Sequence, residues 1–371
     1  MTSQNKSFRP QSKVPDLPDL IDLTQTLIRF KTMHSRLDQI HDCINHIASI
    51  LEAHDIEFRH MVNSGSPSIL VTPGTHEFPL LLMSHIDVVD APDALFEPRM
   101  VNGRLYGRGS YDDKYAAALS IVLLLKRMIQ LRQAGKHQTD LKMGILITSD
   151  EEIGGINGAQ EVLRSIRPEF SIILDGGSIN EVITKEKGIA RVRLIAAGQS
   201  CHASRPWLGK NAIEMVMFDY AKLRRHFKTQ QDTHWHPTVN PGLITGGKII
   251  NQVPDHCELC LDIRYTEHDD IQALLDRIEK ETDSELKVDL VEPVFISPPS
   301  DYLSQIKALS KDIKLGYEHG ASDARHLMPH HLAGVVWGPN GNLTQHSLDE
   351  HVEIDSLYLL HERLSRFIDQ L

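Results

Sequence analysis

The chain has 371 residues, 41% of them apolar and 24% charged, with a formal net charge of −11. Such a balance fits a globular protein of one large or two smaller domains with room for a sizeable core. The negative charge excludes the basic face that nucleic acid or an anionic membrane requires, and leaves small or cationic partners, a metal ion among them.

The opening stretch, "MTSQNKSFRPQSK", is polar and lacks the apolar core of a secretory signal. The longest apolar run, Ala116 to Leu125 broken only by Ser120, is too short to span a bilayer, so a cytoplasmic location is expected. Two helices are predicted next, "LIDLTQTLIRF" and "LDQIHDCINHIASILEAH", the second with Ile40, Ile44, Ile47 and Leu51 at helical spacing. Short apolar runs follow: "SILVT", "PLLLM", "MGILIT", "FSIIL" and, far downstream, "GVVW". Most lack alternation and read as strands covered on both faces. Between "PLLLM" and "MGILIT" lies "YAAALSIVLLLKRMIQLRQ", long and apolar enough for a largely buried helix. Together these predict an α/β domain with a mainly parallel sheet flanked by helices.

From Ile183 the texture changes to strand ("GIARVRLIAAG"), helix ("NAIEMVMFDYAKLRRHF"), two strands ("GLITGGKII", "CELCLDIRY"), helix ("DIQALLDRIEKET") and strand ("ELKVDLV"). This βαββαβ order is the ferredoxin-like signature. It ends near Pro293, after which "YLSQIKALSKDI" and "GVVW" return to the first texture. The expected organisation is a catalytic domain of residues 1–182 and 295–371, split by an inserted lid at 183–294. Four cysteines are too few for a disulfide framework in so long a chain. Cys257 and Cys260 lie in "HCELCLDIRY", which alternates like a strand, so they face opposite ways and are read as structural.

In parallel α/β sheets the ligand site lies beyond the carboxyl ends of the strands, so residues just after the apolar runs converge in space. "PLLLM" ends in Ser84-His85-Ile86-Asp87, "MGILIT" in Ser149-Asp150-Glu151-Glu152, "FSIIL" in Asp175-Gly176-Gly177, and "GVVW" leads to His346. Carboxylates gathered without a cation repel one another and resist ionisation, so a cluster this acidic implies bound metal. Histidine and carboxylate ligands without cysteine suit zinc first, then cobalt or manganese. Asp112 and Asp113, just ahead of the buried helix, supply a fifth ligand or a helix cap.

"SHIDVVD", "GRGSYDDK", "TSDEEIGGINGA", "ILDGG", "GQSCHASRPWLGKNAI", "INQVPDHCELCLDIR", "GASDARHL" and "QHSLDEHV" resemble, in order, the motifs of the dinuclear zinc amidohydrolases and exopeptidases. That family includes acetylornithine deacetylase, succinyl-diaminopimelate desuccinylase, aminoacylase, carnosine-type dipeptidases and glutamate carboxypeptidase. The resemblance implies two divalent metal ions bridged by Asp112, one also held by His85 and Asp175, the other by Glu152 and His346. It makes Asp87 the carboxylate that receives the other ring N–H of His85, and Glu151 the general base. A bridging hydroxide would complete the charge balance and act as nucleophile. His202 becomes the oxyanion donor, reaching in relatives into a neighbouring subunit's site, which implies a homodimer paired through the lid.

Arg325 and Asn251 match positions that bind the substrate's free carboxylate, with Arg205 and Asn211 as weaker versions of the same expectation and a structural ion pair as the alternative for Arg325. Tyr115 and Cys201 stand where most relatives carry glycine, which bears on pocket shape and not on metal binding. The resemblance therefore implies metal-dependent cleavage of the amide of an N-acyl amino acid, of the acetylornithine or succinyl-diaminopimelate type. A dipeptidase or carboxypeptidase is the alternative within the family, and a non-catalytic metal or amino-acid binding protein the alternative outside it. Glu151 separates them, because a binder has no need of a base beside a ligand.

Overall fold

The computed structural model describes residues 18–228, 231 and 233–371; the polar N-terminal stretch read above for a leader lies outside them. In chain order the elements are α1 (Leu20–Arg29), α2 (Leu37–Ala53), β1 (Arg59–Asn63), β2 (Ser66–Val71), β3 (Glu77–His85), β4 (Arg99–Val101), β5 (Arg104–Tyr106), α3 (Lys114–Gln133), β6 (Met143–Thr148), α4 (Ala159–Leu163) and β7 (Arg167–Ile173). Then come β8 (Glu181–Glu186), β9 (Gly188–Ala197), α5 (Ala212–Leu223), β10 (Thr238–Gly246), β11 (His256–Tyr265), α6 (Ile271–Glu281), β12 (Glu285–Glu292) and β13 (Phe295–Ile296). The chain finishes with α7 (Asp301–Ala308), β14 (Lys314–Glu318), β15 (Gly334–Val336), β16 (His351–Glu353) and α8 (Ile354–Asp369). Among the described residues no helix is long and apolar enough to cross a membrane.

These elements form two compact units. The first takes the chain up to Val182, then Ser300–Lys314 and Leu332–Leu371. Its sheet runs β1-β2-β6-β3-β7-β15. β3 is parallel to β6 and β7, and β15 is parallel to β7, while β1 and β2 close one edge antiparallel. β6 is buried at every position, which is why its sequence shows no alternation. α3 covers the sheet and packs against α1, β3 and β6; its residues from Lys114 to Leu125 are all buried. Leu27, Ile44, Leu82, Leu119, Ile145, Ile172 and Trp337 belong to one continuous core. The consequence for function is directional: the carboxyl ends of β3, β6, β7 and β15 all leave the sheet on the same side.

The second unit takes Ile183–Pro299 and Leu315–His331. Its four-stranded sheet runs β10-β11-β9-β12, antiparallel throughout, as the βαββαβ order requires. α5 and α6 pack Val216, Leu223, Leu275 and Ile278 onto Leu194, Leu259 and Leu261. Both helices start from side-chain caps: Asn211 accepts from the N–H of Ile213 and Glu214, and Asp270 from that of Ala273. Along β11 buried and part-exposed residues alternate, so Cys257 is buried and Cys260 lies on the opposite face. The segment 315–331, which the sequence texture assigned to the first domain, groups with this unit instead. β14 pairs with β8, and the buried Ser322 donates its N–H and its hydroxyl to Glu186, each at 3.1 Å.

Candidate metal centre

Side chains from five places in the first unit meet at the carboxyl side of its sheet. His85 is the last residue of β3 and Asp175 follows β7 by two; Glu152 sits on a short turn after β6, and Asp112 on the loop entering α3. His346 comes from the loop after β15, where its backbone is left-handed (φ 63°). His85 Nε2 lies 3.1 Å from Asp112 Oδ1 and 3.7 Å from Asp175 Oδ2. His346 Nε2 lies 3.1 Å from Asp112 Oδ2 and 3.3 Å from Glu152 Oε2. The two oxygens of Asp112 thus serve different neighbours. His85, Asp112 and Asp175 form one group, and Asp112, Glu152 and His346 a second, each with its ligand atoms within 4.8 Å of one another.

This donor set fits two divalent cations. His85 Nε2 is buried without a hydrogen-bond partner and aimed at carboxylates, as a metal ligand would be. Burial opposes charge on His85, but Asp112, Asp175 and Asp87 outweigh it and hold the imidazole well above its usual range. The carboxylates of Asp112 and Glu152 push His346 up to about 10. Burial acts to raise Asp112, yet the two imidazoles bring it below the ordinary carboxylate range. The site therefore demands compensating positive charge. Nitrogen and oxygen donors with no thiol are those zinc, cobalt and manganese accept.

Asp113 occupies the cap position of α3, but its carboxylate makes no helix-cap hydrogen bond; Oδ2 instead accepts the N–H of His85 at 3.3 Å. Asp87, fully buried, organises the other side. Its Oδ1 is 3.3 Å from His85 Nδ1 and accepts the N–H of Glu151 at 3.3 Å; its Oδ2 accepts the N–H of Glu152 at 3.0 Å. The carbonyl of Asp87 lies closer still to His85 Nδ1, at 3.0 Å, so carbonyl and carboxylate together fix the tautomer that leaves Nε2 facing the carboxylates. Glu151 is partly buried beside Glu152 and stands in neither ligand group among the described residues.

The remaining residues singled out from the sequence lie in the second unit. His202 is exposed, and its Nδ1 accepts the N–H of Ser204 at 3.2 Å, which leaves the proton on Nε2 as a donor. Asn251 is exposed, and its carbonyl accepts the N–H of Ala203 at 2.9 Å, tying it to the His202 turn. Arg325 is buried, with Nε 3.0 Å from Glu292 and Nη1 donating to the Ser322 carbonyl at 2.9 Å. An ion pair was the alternative for this residue. The Asn211 side chain caps α5.

A family model described as Peptidase family M20/M25/M40 matches residues 81–370. The chain belongs to this family. An acetylornithine deacetylase of Photorhabdus laumondii subsp. laumondii is 31% identical over 269 residues, covering 67% of this chain and 68% of that protein. A probable succinyl-diaminopimelate desuccinylase of Staphylococcus aureus is 26% identical and covers 95% of each chain. Among solved structures, an M20 family metallo-carboxypeptidase of Sulfolobus solfataricus shares the fold with a TM-score of 0.74 at 14% identity, covering 95% of this chain and 98% of that one. Members of the M20 family are dinuclear metal-binding peptidases, and this chain is a metallohydrolase.

Three side chains at this M20 site carried no signal in the sequence reading. His34, ahead of the matched region, places Nε2 3.0 Å from Asp87 Oδ2. Arg108 and Glu350 form a buried ion pair between the loops that carry Asp112 and His346. Glu350 lies inside the quoted stretch "QHSLDEHV", where only the histidine drew attention. Tyr115, the residue in place of a glycine, is buried and donates its hydroxyl to the carbonyl of Leu174, next to Asp175. It braces a strand end and does not line an open surface.

Proposed function

We propose that this M20 hydrolase cleaves the amide bond of N-acyl amino acids, of the acetylornithine or succinyl-diaminopimelate type. One observation carries the reading: Asp112 is shared by two ligand groups, with Glu151 held at their edge by Asp87 and outside both. When bound, two divalent cations, zinc in the first instance, would polarise the acyl carbonyl and lower the pKa of water to near neutrality. The ligands are assigned as His85, Asp112 and Asp175 for one ion and Asp112, Glu152 and His346 for the other.

Glu151 acts as general base. It takes one proton from the attacking water as the new C–O bond forms, and gives that proton to the nitrogen as the C–N bond breaks; the water's other proton passes from the new carboxyl group to the amine, so that a carboxylate and an ammonium leave. The Nε2–H of His202, freed for donation by the Ser204 contact, stabilises the tetrahedral oxyanion. Asn251 and Arg325 are assigned to the substrate's carboxylate; for Arg325 that role competes with the ion pair to Glu292. A homodimer paired through the second unit is part of this reading. β10 is an edge strand, and Met217 and Phe218 on α5 and Leu243 and Ile244 on β10 are 54–68% exposed, so the edge and its neighbouring helix offer apolar side chains to a second copy.

The test is amine release by the zinc-loaded protein across N-acetyl and N-succinyl amino acids, dipeptides and longer peptides, with Glu151→Ala as blank. Preference for one acyl amino acid supports the proposal. Preference for peptides moves the chain to the peptidases of the family. Activity undiminished in the Glu151→Ala blank overturns the assigned base.

A further inference from the structure

We infer that Arg108 and Glu350 are a positioning pair that sets the affinity of one of the two metal positions, the one formed by Asp112, Glu152 and His346, without either side chain reaching the ion. The inference rests on the two-metal reading above.

The two positions are held in different ways. His85 belongs to β3, and Asp175 follows Leu174, whose N–H donates to Met83 of β3 at 3.0 Å. Their backbones are fixed by the parallel sheet. Asp112 and His346 stand on loops outside it, and His346 does so in a left-handed backbone conformation that a side chain with a Cβ adopts reluctantly. Something other than the sheet must hold those two loops together.

The Arg108–Glu350 pair does so reciprocally. Glu350, from the His346 loop, accepts through Oε1 the N–H groups of Gly109, Tyr111 and Asp112 at 2.8, 3.1 and 3.3 Å. Arg108, from the Asp112 loop, donates through Nη2 to the carbonyls of His346 and Ser347 at 3.2 and 3.3 Å. Nη1 meets Glu350 Oε2, and the two side chains are 3% and 0% exposed. Each loop thus sends one charged side chain to grip the backbone of the other. Gly109 makes room at the centre: its φ is +86°, and a Cβ there would sit 2.7 Å from Lys114 Cδ.

A buried ion pair is a poor stabiliser on its own account, because desolvation offsets the attraction. Here both partners also bond the main chain of the two loops, at Gly109, Tyr111 and Asp112 on one and at His346 and Ser347 on the other, and the inclusion of both ligand residues points to placement of those ligands. Because His346 serves the second position alone, loosening the pair should be felt mainly there. Asp112 serves both, so a small effect at the first position accompanies it.

The experiment is zinc binding by the metal-depleted full chain, followed by isothermal titration, with Co2+ absorption as a second readout of each position. Wild type is compared with Glu350→Gln, Arg108→Met and Arg108→Lys. Glu350→Gln keeps the shape and the acceptor for three N–H groups, so it guards against simple misfolding. The expected result is a first equivalent bound within about threefold of wild type and a second weakened by about 10–100-fold, the usual range for groups that orient ligands. Arg108→Lys should fall between, since an ammonium can meet Glu350 but cannot span both carbonyls. A second equivalent bound as tightly as in wild type in every variant would overturn the inference. So would parallel weakening of both with a lower thermal midpoint of the metal-free protein, the mark of a clamp on the fold alone. A wild type that takes up fewer than two equivalents removes the two-metal reading itself, and shows it before any variant is compared.

Discussion

Asp87 Oδ1 accepts the backbone N–H of Glu151 at 3.3 Å. The carboxylate that faces the ring of His85 therefore also sets the loop that presents the assigned base, so ligand geometry and base geometry are one structural problem. Glu151→Gln keeps that backbone bond and removes only the base. Its kcat should fall by about 10²–10⁴-fold while both metal equivalents remain, as read by turnover together with metal content.

Asp87→Asn tests the hub itself. An amide turns one acceptor oxygen into a donor that faces an N–H of Glu151 or Glu152, and weakens the hold on His34 and His85. Metal affinity should drop by about 10–100-fold in competition with a chelator, and turnover at saturating metal should drop as well. Loss of turnover with unchanged affinity would mean that Asp87 serves the base alone.

The second unit has its own acid-sensitive tie. Asp219 is buried, and burial acts to raise its carboxyl, but hydrogen bonds from the Ser284 hydroxyl, Lys222 and the N–H groups of Asp283 and Ser284 bring it below the usual range. A depressed folded value contributes stability that is present above the ordinary carboxylate pKa and lost as pH falls through the folded one. Asp219→Asn should cost about 2 kcal/mol near neutral pH, and its denaturation midpoint should fall less steeply than wild type below about pH 5. Parallel acid limbs in the two proteins would refute the assignment.

The proposed dimer makes a separate claim. Phe218 is 68% exposed on α5, and a charge there should not disturb the core. Phe218→Glu should shift the mass measured by light scattering from dimer to monomer without lowering the thermal midpoint of the second unit. A wild type that is monomeric at all concentrations would remove the assembly.

Much of this architecture is legible in the sequence because its signals are local. A run such as "MGILIT" without alternation suits a strand covered on both faces, and in a parallel sheet its end is a known address; position therefore narrows the search to the stretches after the runs, and the resemblance singles out His85, Glu152 and Asp175 within them. Asp112 could be read as ligand or helix cap; in the structure Asp113 takes the cap position and turns its carboxylate to His85. His34, Arg108 and Glu350 act through contacts between distant segments, which leave no periodicity and no turn signature. The placement of 315–331 escaped for the same reason: β14 joins β8 by backbone pairing, and texture along the chain does not report which edge a strand completes. The left-handed backbone of His346 escaped too, because histidine does not announce it as glycine would.

The order of the ligands along the chain has a consequence during synthesis. His85, Asp112 and Asp175 sit on or beside β3, α3 and β7, whereas His346 and Glu350 come later, after β15. At elongation rates of about 5–20 residues per second, the stretch between Asp175 and His346 takes roughly ten to thirty seconds to emerge. Until then the growing polypeptide holds one ligand group complete and lacks a donor from the other. On the proposed assignment, the second metal position is completed only once the loop that carries His346 has emerged.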